Sequence, residues 1–127
     1  MYKISKEFSF CASHNLEGLP KDHPCANIHG HNYVVIVSLE AAFVSELGMV
    51  LDYRKLSPIK EFIDLHLDHR HLNDVLDFNP TAENLAKFIF KTFAKTFPQM
   101  GSVTVKETPK TAATYNPMFD EFSDKIG

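Results

Sequence analysis

Cys25, His29 and His31 fall within the seven residues Cys-Ala-Asn-Ile-His-Gly-His, and His14 closes the alternating segment before them. Three neutral imidazoles with a vacant fourth position is the arrangement in which zinc acts as a Lewis acid. Imidazole also suits iron, nickel and copper, so zinc is the leading choice rather than a deduction. Cys25 admits two readings. It could close a structural site of one Cys and three His, or stay off the metal as a base or nucleophile toward a bound substrate; spacing does not choose between them.

Other residues could carry chemistry. Asp68-His69 has the form of a carboxylate–imidazole relay, although for an isolated pair of this kind a solvated loop is the favoured reading. Glu107 shares the parity of Val103 and Val105 and so points toward the core or a pocket. A buried carboxylate needs partners, and a ring with two adjacent N–H groups, such as a 2-amino-pyrimidinone, would supply them. An edge-strand charge facing water is the plain alternative. Cys11, His23, His66 and His71 read as packing, solvated or structural residues.

The elements that must bring these groups together follow from periodicity. Residues 2–14 alternate with Ile4, Phe8, Phe10, Ala12 and His14 on one parity, and residues 31–40 alternate with Tyr33, Val35, Val37 and Leu39 in phase with His29 and His31. Consecutive strands of this kind pair as an antiparallel hairpin, which sets His14 beside His29 and His31. The connection 15–28 is long for a hairpin loop, which argues for a functional one. A helix is expected over about 53–66, with Asp52 as N-cap or a start at Ser57-Pro58. Residues 67–73 form a polar, histidine-rich connector. A second helix is expected over about 82–97, opened by Thr81 and Glu83 and stopped by Pro98 and Gly101. Strands through Val103–Glu107 and around 112–117 complete the order ββααββ. The expected architecture is α+β, a four-stranded antiparallel sheet with two helices on one face. The other face would lie bare in a monomer, so an oligomer is expected.

The 127 residues suit one domain, 1–127, with ordinary apolar (44%) and charged (23%) fractions and eleven Phe for the core. A net charge of −3 argues against a nucleic-acid or acidic-membrane partner. No apolar run approaches a membrane span, and the N-terminal segment is too polar for a signal peptide, so a cytoplasmic location with two free thiols is expected.

Taken together, Phe8-Ser-Phe-Cys-Ala-Ser-His14, Cys25-x-x-x-His29-Gly-His31, Leu51-Asp52, Leu67-Asp68-His69-Arg-His-Leu72-Asn73, Pro80-Thr81-Ala-Glu83-Asn-Leu-Ala86 and Val105-Lys-Glu107-Thr108 resemble the 6-pyruvoyl-tetrahydropterin synthase superfamily. Within it, the short Cys-to-His spacer is similar to that of the group forming 6-carboxy-5,6,7,8-tetrahydropterin on the route to queuosine. The resemblance implies one Zn2+ per subunit on His14, His29 and His31, with Cys25 as proton acceptor rather than ligand. It implies a relay by Asp68 and His69, and a pterin held by Glu107 with Thr81 and Ala82 near the ring. The implied fold is the tunnelling fold, whose sheets join into a barrel on oligomerisation, usually as a hexamer of two trimers with sites between subunits. Glu107 and the metal ligands could then come from different chains. The implied reaction converts 7,8-dihydroneopterin triphosphate to the carboxy-pterin, acetaldehyde and triphosphate. Alternatives are the pyruvoyl-forming reaction, toward which Asn32-Tyr33 leans, and a non-catalytic zinc-bearing member. Lys21, Lys106 and Lys110 are offered for the triphosphate, and the tail 118–127 receives no role.

Overall fold

The computed structural model describes residues 1–118; the rest of the expected domain, including all but the first residue of the tail 118–127, lies outside the described residues. Strands β1 (Tyr2–His14) and β2 (His29–Ala41) form the expected hairpin, paired residue for residue from Tyr2–Ala41 to His14–His29. Strand β4 (Met100–Thr108) adds antiparallel to β2, and β5 (Thr111–Tyr115) antiparallel to β4. The sheet differs from the expectation in one respect. Arg70 and His71 make a two-residue strand, β3, parallel to β1 at its outer edge, so the sheet is mixed and five-stranded in the order β3-β1-β2-β4-β5.

The helices deviate for identifiable reasons. Helix α1 spans Ser57–His66, and the expected first turn, Tyr53–Leu56, is 3-10 instead. An α-helix through Pro58 would drive its ring into the carbonyl of Arg54. The chain tightens, and Arg54 accepts from the Ser57 amide. Asp52 does cap this turn, accepting from the Arg54 amide at 2.9 Å. Its carboxyl, half-buried and gripped by the Arg54 side chain, is held down at about 2. A four-residue helix, α2 (Leu72–Val75), lies in the segment expected to be connector. Helix α3 runs Ala82–Phe93 rather than to 97, because Phe97 precedes Pro98 and is biased out of the helical region. Strand β5 likewise ends at Tyr115, two residues before Pro117.

Helix α1 packs on β1 and α3 on β4 and β5. The parity rule holds along the sheet: Tyr33, Val35, Val37, Leu39, Val103 and Val105 are fully buried against Leu56, Ile59, Leu85 and Ile89. A phenylalanine core is only partly what forms. Phe8, Phe10, Phe90, Phe93 and Phe97 are buried but each keeps 4–7% exposure, so the rings rim an aliphatic centre. On the opposite face Ser9, Cys11 and Asn32 are exposed and Val34, Ile36 and Thr104 half-buried. The sheet does not close into a barrel within the chain. No helix among the described residues is long and apolar enough to cross a membrane.

Candidate metal centre and adjoining cavities

The hairpin register does what the spacing anticipated. His14 lies opposite His29, and Ala12 opposite His31. The three rings meet edge to face, with centroids 4.6 Å (His14–His29), 5.0 Å (His14–His31) and 5.0 Å (His29–His31) apart. Their ligand nitrogens all lie within 4.8 Å of one another. Tetrahedral zinc with Zn–N near 2.0–2.1 Å asks for N···N of about 3.4 Å.

The hydrogen bonds around the rings decide which nitrogens are free. Nδ1 of His14 is 2.7 Å from the Pro80 carbonyl, and Nδ1 of His29 is 2.7 Å from the Asn27 carbonyl. A carbonyl only accepts, so both Nδ1 atoms carry the proton and both Nε2 atoms present lone pairs. Those two Nε2 atoms face each other at 3.0 Å. Facing lone pairs repel unless a proton or cation joins them. Nε2 of His31 is buried and has no hydrogen-bond partner among the described residues, which is costly for a polar atom. Two facing lone pairs beside a buried, unpartnered ring nitrogen fit a bound cation. Burial pulls the His14 pKa down, outweighing the upward pull of the Pro80 carbonyl and Glu107. A neutral imidazole is the form a metal requires.

Beneath the rings lies a support that sequence reading assigned only to the core. Tyr33 stacks on Phe10 (4.7 Å, 7°), meets His31 and His14 edge to face, and places its hydroxyl 3.2 Å from His14 Nδ1. Burial, with Glu107 adding to it, pushes the phenol pKa well above its usual value. The Pro80 carbonyl is the other missed contributor. Nothing in a proline's identity announces that its backbone oxygen orients a ligand 66 positions away.

Glu107 sits where β4 slips register against β5 between Val105 and Thr108. Such irregularities re-aim side chains. Its Oε2 lies 3.8 Å from His31 Nε2 within the same chain, so this carboxylate and the histidines need no second subunit to meet. Glu107 and Ala82 also line one cavity of about 540 Å3, together with Glu83, Thr111 and Thr114. Thr81 does not line it; its hydroxyl caps α3, accepting from the Asn84 amide at 3.1 Å. Lys21, Lys106 and Lys110 are absent from the lining as well, and Lys106 lies on the sheet face opposite Glu107.

Asp68 and His69 are joined as a pair, Oδ2 to Nδ1 at 2.9 Å. Asp68 Oδ1 accepts from the Cys11 amide at 2.9 Å, and the His69 amide donates to the Cys11 carbonyl at 2.6 Å. To make both bonds His69 takes a φ of 58°, the left-handed region that a non-glycine residue seldom occupies. The Cys11 amide, followed by His69, holds the Asp68 carboxyl below its ordinary pKa. The His69 ring is 81% exposed. It borders an open depression of about 500 Å3 that also touches Cys11, His31, Asn32, Arg70 and His71. Cys25 is half-buried in a short 3-10 turn, Pro24–Ala26, and its sulfur does not join the histidine group. It lines neither cavity.

Fold and site together define a tunnelling-fold domain with a histidine centre at one end of its first hairpin. Residues 3–118 match the family model described as 6-pyruvoyl tetrahydropterin synthase, and the chain belongs to that family. It is 38% identical to 6-carboxy-5,6,7,8-tetrahydropterin synthase of Synechocystis, over 91% of this chain and 93% of the relative. It is 36% identical to dihydroneopterin monophosphate aldolase of Pyrococcus furiosus, over 82% and 83%. Among solved structures, 6-pyruvoyl tetrahydropterin synthase of Caenorhabditis elegans superimposes with a TM-score of 0.80 at 32% identity, covering 91% of this chain and 94% of that one.

Proposed function

We propose that this chain is a zinc-dependent lyase converting 7,8-dihydroneopterin triphosphate, with uptake of one water, to 6-carboxy-5,6,7,8-tetrahydropterin, acetaldehyde and triphosphate. The observation that carries the metal-dependent part is the convergence of one ring nitrogen from each of His14, His29 and His31 within 4.8 Å, beside a buried His31 Nε2 that has no partner among the described residues. His14, His29 and His31 would hold one Zn2+, which when bound supplies Lewis-acid polarisation of substrate side-chain oxygens.

The remaining roles belong to the chain itself. Glu107 accepts two N–H groups from the 2-amino-pyrimidinone edge of the pterin in the cavity it shares with Ala82. The same carboxylate lies 3.8 Å from His31 Nε2, so the proposed pterin site adjoins the histidine centre. Cys25 takes a proton from the substrate side chain, and His69, oriented by Asp68, delivers or accepts another. Because Cys25 and His69 border separate regions of one chain, their meeting at one substrate calls for a neighbouring subunit.

The four-residue step from Cys25 to His29 and the relative in Synechocystis favour the carboxy-forming outcome. The pyruvoyl-forming reading keeps support from Asn32-Tyr33 and from the Caenorhabditis elegans structure. Incubating zinc-loaded protein with dihydroneopterin triphosphate and trapping volatile aldehyde separates them. Acetaldehyde in step with triphosphate release is the expected result. A pyruvoyl-pterin without aldehyde replaces the first reading by the second, and no turnover supports a non-catalytic role.

A further inference from the structure

Cys25 sits on a fourteen-residue loop between β1 and β2, and a base on such a loop acts reproducibly only when the loop is held. The hold is in the backbone of residues 15–17. The Asn15 amide donates to Oδ1 of Asn73 at 2.9 Å, and Nδ2 of Asn73 donates back to the Asn15 carbonyl at 2.8 Å. Two residues on, the Glu17 amide donates to Oδ1 of Asn79 at 2.9 Å, and Nδ2 of Asn79 returns to the Glu17 carbonyl at 3.3 Å. Between them the Leu16 amide donates to the Cys25 carbonyl at 2.8 Å. The Cys25 amide donates to Nδ1 of His23 at 3.1 Å.

A carboxamide carries an acceptor and a donor side by side, as a peptide group does. The two asparagines therefore prolong with side chains the parallel pairing that β3 makes with β1 at Ala12–Arg70 and Ser13–His71. The main chain cannot do this itself, because it turns into α2 at Leu72. Residues 15 and 17 are tied to one side of the extended segment, which leaves Leu16 aimed at Cys25 from the other. Both backbone polar groups of Cys25 are thereby engaged.

The structure assigns Asn73 and Asn79 as positioning residues for Cys25, acting through the Leu16 amide. The catalytic part of this assignment rests on the reading of Cys25 as the proton acceptor. The test compares Asn73→Ala, Asn79→Ala and Asn79→Asp with the parent, all metal-loaded. Asn79→Asp keeps an acceptor for the Glu17 amide but sets an anionic oxygen against the Glu17 carbonyl in place of the returning donor. Hydrogen exchange by mass spectrometry follows residues 15–17 and 23–27 against reference segments of β2 and β4, and steady-state kinetics gives kcat and KM.

In the alanine variants, local exchange is expected to rise about tenfold with the references unchanged. The kcat should fall about 10- to 100-fold with KM within about twofold, as misplacement of a reacting group does. Asn79→Asp should shift exchange and kcat in the same direction. Unchanged exchange at 15–17 and 23–27, a uniform rise across β2 and β4, or kcat within about twofold of the parent would overturn the assignment. Should the alanine variants fail to fold, Asn79→Asp decides by the same outcomes. A parent enzyme without turnover removes the proposed reaction alone, because exchange still judges the clamp.

Discussion

At the scale of single residues, protonation follows from what each polar atom touches. Two carbonyl acceptors fix the tautomers of His14 and His29, and the coordinating nitrogens follow from that. Cys25 lies outside this group, so Cys25→Ala is expected to retain one metal per chain by elemental analysis while turnover drops below detection. Loss of metal in that variant would return the thiol to the ligand set. The sequence exposed the three histidines because each is a chemically distinctive residue at strand spacing. It could not expose Tyr33 or Pro80 in the same way. Tyr33 occupies a position where any large apolar ring satisfies the pattern, and Pro80 contributes an oxygen that every residue possesses.

At the scale of elements, strand alternation was the most readable signal, because one buried face imposes period two wherever a strand forms. Helix ends were less legible. Pro58 and Pro98 shortened both helices through local sterics that an apolar stripe does not register. The missed elements, β3 and α2, are too short to show any period; long-range bonds fix them instead, from Cys11 to Asp68 and His69 before β3 and from Asn15 to Asn73 in α2. Asp68 is central to that attachment and carries a pH dependence. Its folded pKa lies below the unfolded value, so its stabilisation is present above the ordinary carboxylate range and is lost as pH falls through the depressed folded value. The protection of the Cys11 and His69 amides, taken relative to the intrinsic exchange rate at each pH, should therefore fall in acid. Asp68→Asn keeps an acceptor for the Cys11 amide, and its protection in this segment should change less over the same acid range. An equal acid response in both proteins would place the sensitivity elsewhere.

At the scale of the molecule, the helices cover one side of the sheet and leave the other to Ser9, Cys11, Asn32, Val34, Ile36 and Thr104. The sheet ends in a two-residue strand on one side and a five-residue strand on the other, edges that invite pairing with another copy. Light scattering is expected to give six times the 14.4 kDa chain mass; a monomer at micromolar concentration would contradict both the assembly and the two-chain site. That larger arrangement could not be read from alternation, which reports whether a face is buried but not by what. The pairing of His14 with His29 carries a last consequence, for the order of folding. All three rings come from one hairpin, and closing its fourteen-residue loop costs only modestly more entropy than a shorter one, because the cost grows with the logarithm of length. The Pro80 carbonyl, reached only once the region before α3 has docked, is the distant group that sets the His14 tautomer. The centre is thus an early, local product of the chain, waiting on one late hydrogen bond to fix which nitrogen it offers.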